Sequence, residues 1–523
     1  MTTTDALRLE LLPGEKWWGG AVADGQQMPF GSEPHRRDLA TSAGFLADDT
    51  GGANQSAPVL LSSRGRVVWS ETPFTFSFEN GSLSANGRAL LSSRAGDTLA
   101  EAFRHASAAF FPPTGRAPAR EMFTGPQYST WIEMPYEPTQ EGVLEYVRGI
   151  LDAGFPPGVV IIDDSWSPGY GTWTFDRSRF PNPGEMTRKL AEWGCPVMLW
   201  IVPFVSPDSA TFRHLRERDL LVRGSDGQVA IRPWWNGHSA LLDVTDAAAV
   251  DWLNERLAAL ISEHGVAGFK FDGGDFRDYR VGDITTEPTD PAGQCAAWAR
   301  IGERYAFNEF RSGWKMGGRA LSERLHDKPP VWGVGGLGSI IPESIAQGLI
   351  GHAFICPDMV GGGDLERFTP GTPLDQELFV RYAQCAALFP MIQFSLSPWR
   401  VLDVAHLAAV RAAVALRQSL MPEILRLVDH AATSGEPILR PLAYHHAGYE
   451  DTTDEYLIGE DILVAPVLDQ HARSRTVIFP PGRWVAGDGS IHLGPGIFDV
   501  PVDLSTIPWF RRENGPVSLT DIR

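Results

Sequence analysis

Cysteine is scarce in this chain: 523 residues contain four, at positions 195, 295, 356 and 385. No two of them form a CxxC pair and their spacing matches no zinc motif, which excludes a disulfide scaffold and argues against structural zinc. Cys195, Cys356 and Cys385 lie in or beside apolar runs. We therefore expect buried, reduced thiols and a reducing compartment.

Basic charge and long apolar runs are also lacking. Lys and Arg number 45 against 64 Asp and Glu, giving a net charge of −19. Such a field repels polyanions and no basic run offsets it, so we expect no nucleic-acid partner. No apolar run is long enough to cross a bilayer, and the N-terminus lacks the pattern of a secretory signal. These features predict a cytoplasmic protein without a membrane partner; the oligomeric state, including a homo-oligomer, stays open.

Tryptophan, in contrast, is abundant, with 17 residues. Indole faces stack on the C–H faces of sugars, although a single tryptophan more often belongs to a core. As a set near predicted strand ends, they favour a carbohydrate cleft. The residues concerned are Trp131, Trp166, Trp173, Trp200, Trp234, Trp235, Trp314 and Trp332.

The pattern of predicted strands and helices changes twice along the chain. Short strand-like runs separated by Gly, Asn and Ser predict an N-terminal β-sandwich over residues 1–120. Alternating strands and helices then predict a catalytic (β/α)₈ barrel, a TIM barrel of the α/β class, over 121–425. Short strands return in a C-terminal β-sandwich over 426–523. The predicted barrel strands are Tyr128–Met134, Val159–Asp163, Val197–Val202, Gly268–Asp272, Phe307–Arg311, Val331–Val334, Ala353–Cys356 and Met391–Leu396.

Several helices are also predicted. Thr98–Ala109 has the pattern of a helix leading out of the N-terminal domain, and Gln140–Ala153 and Ala247–His264 have the apolar spacing of barrel helices. Gly265 follows the last of these as a suitable C-terminal stop.

Charged side chains cluster at the predicted strand ends, where barrels of this kind carry their active sites. Asp163 and Asp164 end the second strand, Lys270 and Asp272 the fourth, and Arg311 the fifth. Asp358 follows the seventh strand. Cleaving a glycosidic bond needs two groups that flank the anomeric carbon, typically both carboxyls. Nearby Lys270 and Arg311 would keep Asp272 ionised, as a nucleophile requires.

A metal-dependent hydrolase is the rival outside carbohydrate chemistry. The His pairs that such sites commonly use are missing from these strand ends, so we expect neither metal nor cofactor.

The motifs resemble those of glycoside hydrolase family thirty-one, the retaining α-glycosidases, along the whole chain. GFKFDGGD resembles the nucleophile motif and implies Asp272 as nucleophile. FRSGW and IGHAFICPDMVGGG imply sugar contacts from Arg311 and Asp358, and IIDDSW and MLWIVPFV imply contacts at the second and third strand ends. Within that family, these motifs are most similar to those of a branch with bacterial members, some of which act on α-galactosides. The expected substrate-binding set is Asp163, Asp164, Trp166, Trp200, Lys270, Asp275, Arg311, Trp314, Trp332 and Asp358.

One departure from the family concerns the general acid. The resemblance implies an aspartate just after the sixth strand, in a segment beginning with tryptophan and glycine, but Val331–Leu337 contains no carboxylate. Another carboxyl could replace it, a substrate with an acidic leaving group could do without it, the chain could be an engineered variant, or the protein could bind sugar without efficient turnover. The candidate replacements are Asp327, Glu343, Asp364 and Asp275.

The sequence therefore predicts an enzyme that cleaves small carbohydrates, α-linked glucosides or galactosides, through a covalent glycosyl-aspartate. Three alternatives remain open. A sugar acceptor could intercept the same intermediate in a transglycosylase, a proton could be lost from it in a lyase, or the chain could be a carbohydrate-binding protein with a degenerate site.

Overall fold

The computed structural model describes residues 3–41, 55–368 and 373–513. It has an antiparallel N-terminal sheet, a parallel barrel and a C-terminal sheet. The N-terminal strands are β1 Thr3–Glu10, β2 Trp17–Ala21, β3 His35–Asp38, β4 Gln55–Ser62, β5 Arg66–Trp69, β6 Phe74–Glu79 and β7 Ser82–Arg94. The strands of the middle part are β8 Gln127–Ser129, β9 Val160–Ile162, β10 Val197–Ile201, β11 Phe204–Val205, β12 Ile231–Trp234, β13 Gly237–Leu241, β14 Gly268–Phe271, β15 Phe307–Phe310, β16 Gly313–Trp314, β17 Glu323–Arg324, β18 Ile355–Cys356 and β19 Gln393–Phe394. The C-terminal strands are β20 Leu439–Arg440, β21 Tyr456–Ile458, β22 Ile462–Val464, β23 Ser474–Ala486, β24 Ile491–Pro501 and β25 Trp509–Glu513.

Helices surround the barrel and connect the three parts. They are α1 Leu99–Phe110, α2 Glu121–Thr124, α3 Gln140–Asp152, α4 Pro183–Glu192, α5 Ala210–Arg216, α6 Ala247–His264, α7 Pro291–Gly302, α8 Ile340–Leu349, α9 Gln376–Ala387, α10 Pro398–Val401 and α11 Val404–Ser434. Short 3₁₀ helices are Val22–Gln27, Phe276–Asp278, Leu337–Ser339, Leu365–Arg367 and Leu442–Tyr444.

The barrel is one parallel sheet in the order β18-β17-β15-β14-β10-β9-β8-β19. Its two edge strands meet through a parallel bridge between Met359, just after β18, and Gln393 of β19. The (β/α)₈ fold predicted from the sequence is thereby confirmed. A separate three-stranded sheet, β11-β13-β12, forms part of the long insertion between β10 and β14.

One predicted barrel strand is wrong. It is the sixth, after which the family resemblance places the general acid. The sixth strand is Glu323–Arg324 and not Val331–Val334, which lies in a loop. Val331 and Val334 are exposed. The apolar run Val331–Val334 therefore does not pair in the barrel sheet. The sixth strand consists of two buried charged residues, Glu323 and Arg324. Any group just after the sixth strand must be sought from residue 325 onward.

The predicted helices are present, and their ends follow local chemistry. Thr98 caps α1 in a capping box with Glu101. α6 ends at Gly265, whose φ of 70° lies in the left-handed region that glycine tolerates. α11 crosses residue 425, the predicted end of the barrel domain, and β-structure resumes at Leu439.

All four cysteines are buried and unpaired. Among the described residues, no helix combines the length and apolar character that a membrane span requires.

Arg417 of α11 stabilises the barrel where its first and last strands, β8 and β19, lie side by side. Its fully buried guanidinium donates hydrogen bonds to the carbonyls of Phe123 (2.7 Å), Ala387 (3.0 Å), Pro390 (2.6 Å) and Phe389. These carbonyls lie in the segments that precede β8 and β19. This one side chain thus donates hydrogen bonds to four backbone carbonyls that lie outside the barrel strands.

We expect Arg417→Met to lower the free energy of unfolding by at least about 3 kcal/mol, because each carbonyl left buried and unpaired costs about 1–3 kcal/mol. Thermal unfolding followed by circular dichroism measures the change. Arg411→Met, on the exposed face of the same helix, is the matched control and should leave the Tm near that of the parent. Similar Tm values for both variants would contradict the anchoring role.

Candidate active site

Asp272 lies at the carboxyl end of the fourth barrel strand, and alternation along that strand determines where it points. Phe271 packs outward against Trp298 of α7 at a ring distance of 5.4 Å. Because successive strand side chains face opposite ways, Lys270 and Asp272 face the barrel interior. The Asp272 backbone N–H donates to the Ile201 carbonyl at 2.8 Å, which extends the β10–β14 pairing by one residue.

The Asp272 carboxylate accepts hydrogen bonds from Trp200 Nε1 and from the backbone N–H of Gly273, the latter at 2.8 Å to Oδ1, and it lies beside two cations. Trp200 Nε1 donates to Oδ2 at 2.9 Å, and Arg311 Nη2 contacts Oδ1 at 2.9 Å. Lys270 Nζ lies 3.9 Å from Oδ2. Burial alone raises the pKa of Asp272, but the charges of Arg311 and Lys270 outweigh it, and the net pKa lies well below the usual range. The structure therefore holds an ionised carboxylate in a nearly enclosed site.

Lys270 is shared between two carboxylates. Its Nζ contacts Asp163 Oδ2 at 2.7 Å, and Ser129 donates to the same oxygen at 3.2 Å. Burial lowers the pKa of Lys270, but the charge of Asp163 raises it, and the net direction is upward. Lys270 pairs in register with Trp200 on one side and Glu309 on the other, so all three face the interior. The parallel register thus places this polar cluster at one level of the barrel.

Arg324 is the main residue that the sequence analysis missed. Only 1% of its surface is exposed, and it contacts Glu309 at 3.2 Å, Asp327 at 2.8 Å and Asp358 at 2.5 Å. It ends the sixth strand, which the sequence analysis misplaced. Asp358 is fully buried and has a φ of 82°, which is rare outside glycine. Burial raises the pKa of Asp358 to about 7; Arg324 opposes the rise and Asp327 adds to it.

Asp164 points away from its neighbour Asp163 and lines a cavity of about 500 Å³ beside the second and third strand ends. Tyr170 donates to Oδ2 at 3.3 Å, and Asn236 donates to the same oxygen at 2.5 Å. Burial, followed by the charge of Asp163, raises the pKa of Asp164 to about 7. Neither Tyr170 nor Asn236 had been predicted. Asn236 comes from the β12–β13 turn, whose approach to the barrel mouth no local pattern reveals.

The predicted tryptophans occupy different environments. Trp166 is fully buried and donates through Nε1 to the Trp200 carbonyl at 2.7 Å, which fixes the third strand end. Trp314 is buried in β16, which pairs with β4 of the N-terminal sheet, and packs against Phe276. Trp332 lies in the loop after the sixth strand and donates to Asp375 at 2.9 Å. Their proposed sugar contacts stay predictions.

Trp235 places an aromatic ring beside the site, although the expected substrate-binding set did not include it. Its ring lies 5.3 Å from the Arg311 guanidinium and 5.7 Å from that of Arg277. With 38% of its surface exposed, it is open to a ligand over the barrel mouth.

Asp275 lies three residues after Asp272 but is turned into the protein. It is buried and caps the 3₁₀ helix Phe276–Asp278, accepting from the Phe276 N–H at 2.7 Å. Burial, followed by the charge of Asp278, raises its pKa to about 8. Its substrate contact stays a prediction, and the structure shows it as a helix cap.

Comparison with known proteins gives the family context. Residues 121–329 match the TIM-barrel domain of glycosyl hydrolases family 31, and residues 435–515 match the C-terminal domain of the same family. The mouse (Mus musculus) myogenesis-regulating glycosidase is 35% identical over 416 residues, which cover 77% of this chain. The chain spans 58% of that relative's length.

Solved structures share the fold. An α-xylosidase from a soil metagenome, complexed with xylose, superimposes with a TM-score of 0.81 at 23% identity, over 98% of this chain and 79% of the other. The cycloalternan-degrading enzyme from Trueperella pyogenes, in complex with a covalent intermediate, gives 0.82 at 19% identity, over 98% and 78% of the two chains. The two matched domains and the mouse relative together show that this chain belongs to glycosyl hydrolase family 31.

Proposed function

We propose that this protein is a retaining α-glycosidase that uses Asp272 as its nucleophile. The observation that carries the proposal is the ionised Asp272 carboxylate, aimed into the barrel and held by Trp200 and Arg311. An anionic carboxylate in a water-poor site is a competent nucleophile for an anomeric carbon. Because hydrogen bonds from Trp200 and the Gly273 backbone N–H and the ion pair with Arg311 fix its orientation, it needs little rearrangement to attack.

The chemistry then proceeds in two displacements. Asp272 attacks C1 of the bound sugar and forms a glycosyl ester as the glycosidic bond breaks, and water then attacks C1 and releases the carboxylate. Two inversions at C1 give net retention. The covalent complex of the Trueperella enzyme, which has the same fold, supports this route.

The proposed substrates are small α-linked glucosides or galactosides. Support comes from Trp200, whose indole N–H holds Asp272 and which also lines a cavity of about 500 Å³ beside Asp164; Asp272 itself does not line that cavity. The exposed Trp235 ring supplies an apolar face over the mouth. Carboxylates of the kind found here, Asp163, Asp164 and Asp358, are suitable acceptors for sugar hydroxyls.

Sugar binding without efficient turnover is the second candidate function. The observation that favours it is the loop Val331–Leu337, which contains no carboxylate. Transfer to a sugar acceptor or loss of a proton from the same ester are further outcomes of the Asp272 chemistry. Analysis of products by NMR separates hydrolysis from both.

A mechanism-based label tests the nucleophile. Incubation with 5-fluoro-α-glucosyl fluoride or its galactosyl epimer should add one fluorosugar to the protein, because the electron-poor sugar forms the ester faster than water removes it. Intact-mass measurement followed by peptide mapping should locate the adduct on Asp272.

Two variants accompany the labelling. Asp272→Asn should take up no label, whereas Trp200→Phe keeps the carboxylate, loses one hydrogen bond to it and should be labelled more slowly. An adduct on another residue would overturn the assignment of the nucleophile. Tight sugar binding with neither label nor turnover of aryl glycosides would favour the binding protein.

The pH dependence of kcat/KM tests the electrostatic role of Arg311. Its charge is the largest influence that lowers the pKa of Asp272. Arg311→Met should therefore raise that pKa, so that Asp272 becomes protonated at a higher pH as the pH falls. The acidic limb of kcat/KM, which reports the free enzyme, should move to higher pH.

Arg311→Lys is the matched control, since it keeps the charge and loses the two-pronged guanidinium geometry. We expect its acidic limb to stay closer to that of the parent, while KM rises. Equal limbs in all three proteins would show that Arg311 does not control the ionisation of Asp272.

A further inference from the structure

Large apolar side chains are exposed on several loops around the mouth of the barrel. These loops follow the first, third, fourth and sixth barrel strands, and the carboxyl ends of parallel strands share the face that carries Asp272. One exposed apolar side chain is ordinary, whereas a set on one face marks a binding surface. Together they are the apolar rim: Tyr136 after β8, Ile231 and Trp235 in the insertion after β10, Val281 after β14, and Val331 and Val334 after β17.

Trp235 connects the apolar rim to the reacting groups. Its ring lies 5.3 Å from the Arg311 guanidinium, which contacts Asp272 at 2.9 Å. The next residue, Asn236, donates to Asp164 Oδ2 at 2.5 Å, so the β12–β13 turn is held at the second strand end. The half-exposed indole is thus adjacent to the groups that act on C1.

Tyr136 lies near the carboxylates at the second strand end. Burial, followed by the charges of Asp164 and Asp163, raises the pKa of Tyr136 to about 12, and Asp327 adds to the rise. Its ring packs edge-on against Trp131 at 5.4 Å, and Trp131 donates through Nε1 to the loop after β18. A φ of 59° is rare for such a bulky residue, yet 38% of Tyr136 stays exposed. The fold therefore holds an aromatic ring at the mouth in a backbone conformation that such residues seldom adopt.

The loop after the sixth strand presents two valines to water. Val331 and Val334 are both exposed, the latter by 62%. Hydrogen bonds hold the loop in this arrangement, since the Leu337 N–H donates to the Val331 carbonyl at 2.9 Å and Trp332 Nε1 donates to Asp375 at 2.9 Å. The segment is thus apolar without being part of the core.

The site accordingly has two zones of different chemistry. The floor contains Asp163, Lys270 and Asp272, whose charges suit the hydroxyls of a sugar. We propose that the apolar rim binds an apolar aglycone, so that the substrates are α-glycosides of an alkyl or aryl alcohol. The inference rests on the proposed function, because the aglycone departs from the C1 that Asp272 attacks.

Aliphatic side chains favour this occupant over a second sugar. The hydroxyls of a sugar need hydrogen-bond partners in place of water, and the valine and isoleucine side chains of the rim supply none. A hydrocarbon needs no such partners, and its removal from water is favourable in proportion to the area covered. The rim is also continuous with the site through Trp235 and Arg311, as a group attached to C1 requires.

The chain length of the aglycone tests the proposal. Butyl, hexyl and octyl α-glycosides have leaving groups of nearly equal acidity, so chain length alters contact with the rim and leaves the chemistry at C1 alone. A fully buried methylene corresponds to about a fourfold change at 25 °C, so we expect kcat/KM to rise by about two- to fourfold per added methylene. The rise should come through KM, because the contact is equal in the ground and transition states.

Variants of the rim identify the contact. Val331→Ser combined with Val334→Ser should flatten the dependence on chain length, and Trp235→Ala should flatten it separately. Ile261→Ser is the matched control, because Ile261 is 37% exposed in the last turn of α6, at the opposite end of the barrel. It should keep the chain-length dependence of the parent.

Other occupants of the rim give different results, and each would overturn the proposal. A flat dependence in the parent, or an equally steep one in both rim variants, would show that the rim does not contact the aglycone. A disaccharide with a higher kcat/KM than the octyl glycoside of the same sugar would assign the rim to a second sugar. A parent dimer that the double valine variant converts to a monomer in sedimentation velocity would assign it to a subunit contact.

Failure of this inference is distinguishable from failure of the proposed function. If the parent is labelled at Asp272 and turns over methyl and aryl glycosides without a chain-length effect, the rim proposal falls and the nucleophile stands. If the parent is neither labelled nor active, the proposed function falls, and calorimetry with butyl and octyl 1-thio-α-glycosides decides the role of the rim. Tighter binding of the octyl compound, lost in the double valine variant, supports the rim, and equal affinities overturn it.

Discussion

The burial of one negative charge is the constraint on which the site depends. Removing the Asp272 carboxylate from water is unfavourable unless donors and opposite charges replace its hydration. Trp200 and the Gly273 backbone N–H supply hydrogen bonds, and Arg311 and Lys270 supply opposite charge. Those cations are themselves buried, and their own partners are Asp163 for Lys270 and Asp327 for Arg311. The arrangement is stable only as a set, because removing one member leaves a buried charge without its partner.

The same constraint explains why the pKa of Asp358 is raised while that of Asp272 is lowered. Lys270, Arg311 and Arg324 face Asp163, Asp272, Glu309, Asp327 and Asp358, so carboxylates outnumber cations. Burial makes the surplus negative charge unfavourable, and uptake of a proton relieves it. Asp272 does not take the proton, because the two nearest cations lower its pKa. Opposite pKa shifts of Asp272 and Asp358 thus arise from a single charge network.

The sequence was sufficient for most of the fold because the apolar pattern marks buried parallel strands clearly. Gly268–Phe271 and Val197–Ile201 are almost wholly apolar, and Ala247–His264 has helical spacing with a glycine stop. The sixth strand fails this test, since Glu323–Arg324 is short and charged, and its Arg324 is paired with Glu309 of the neighbouring strand. Arg324 was missed for the same reason. Contacts from the β12–β13 turn, such as that of Asn236, depend on tertiary folding and leave no local pattern.

Correcting the sixth strand changes the meaning of the missing loop carboxylate. With Val331–Val334 as the strand, the residues that follow it up to Leu337 contain no carboxylate that could donate a proton. With the strand at Glu323–Arg324, the first carboxylate after it is Asp327, already in contact with the two arginines that organise the site. A proton donor needs an oxygen that can reach the leaving group and a neighbourhood that permits both protonation states. The corrected strand places one of the four candidate carboxylates, Asp327, on the rim that carries Asp272, independently of how the Trp332 loop is built.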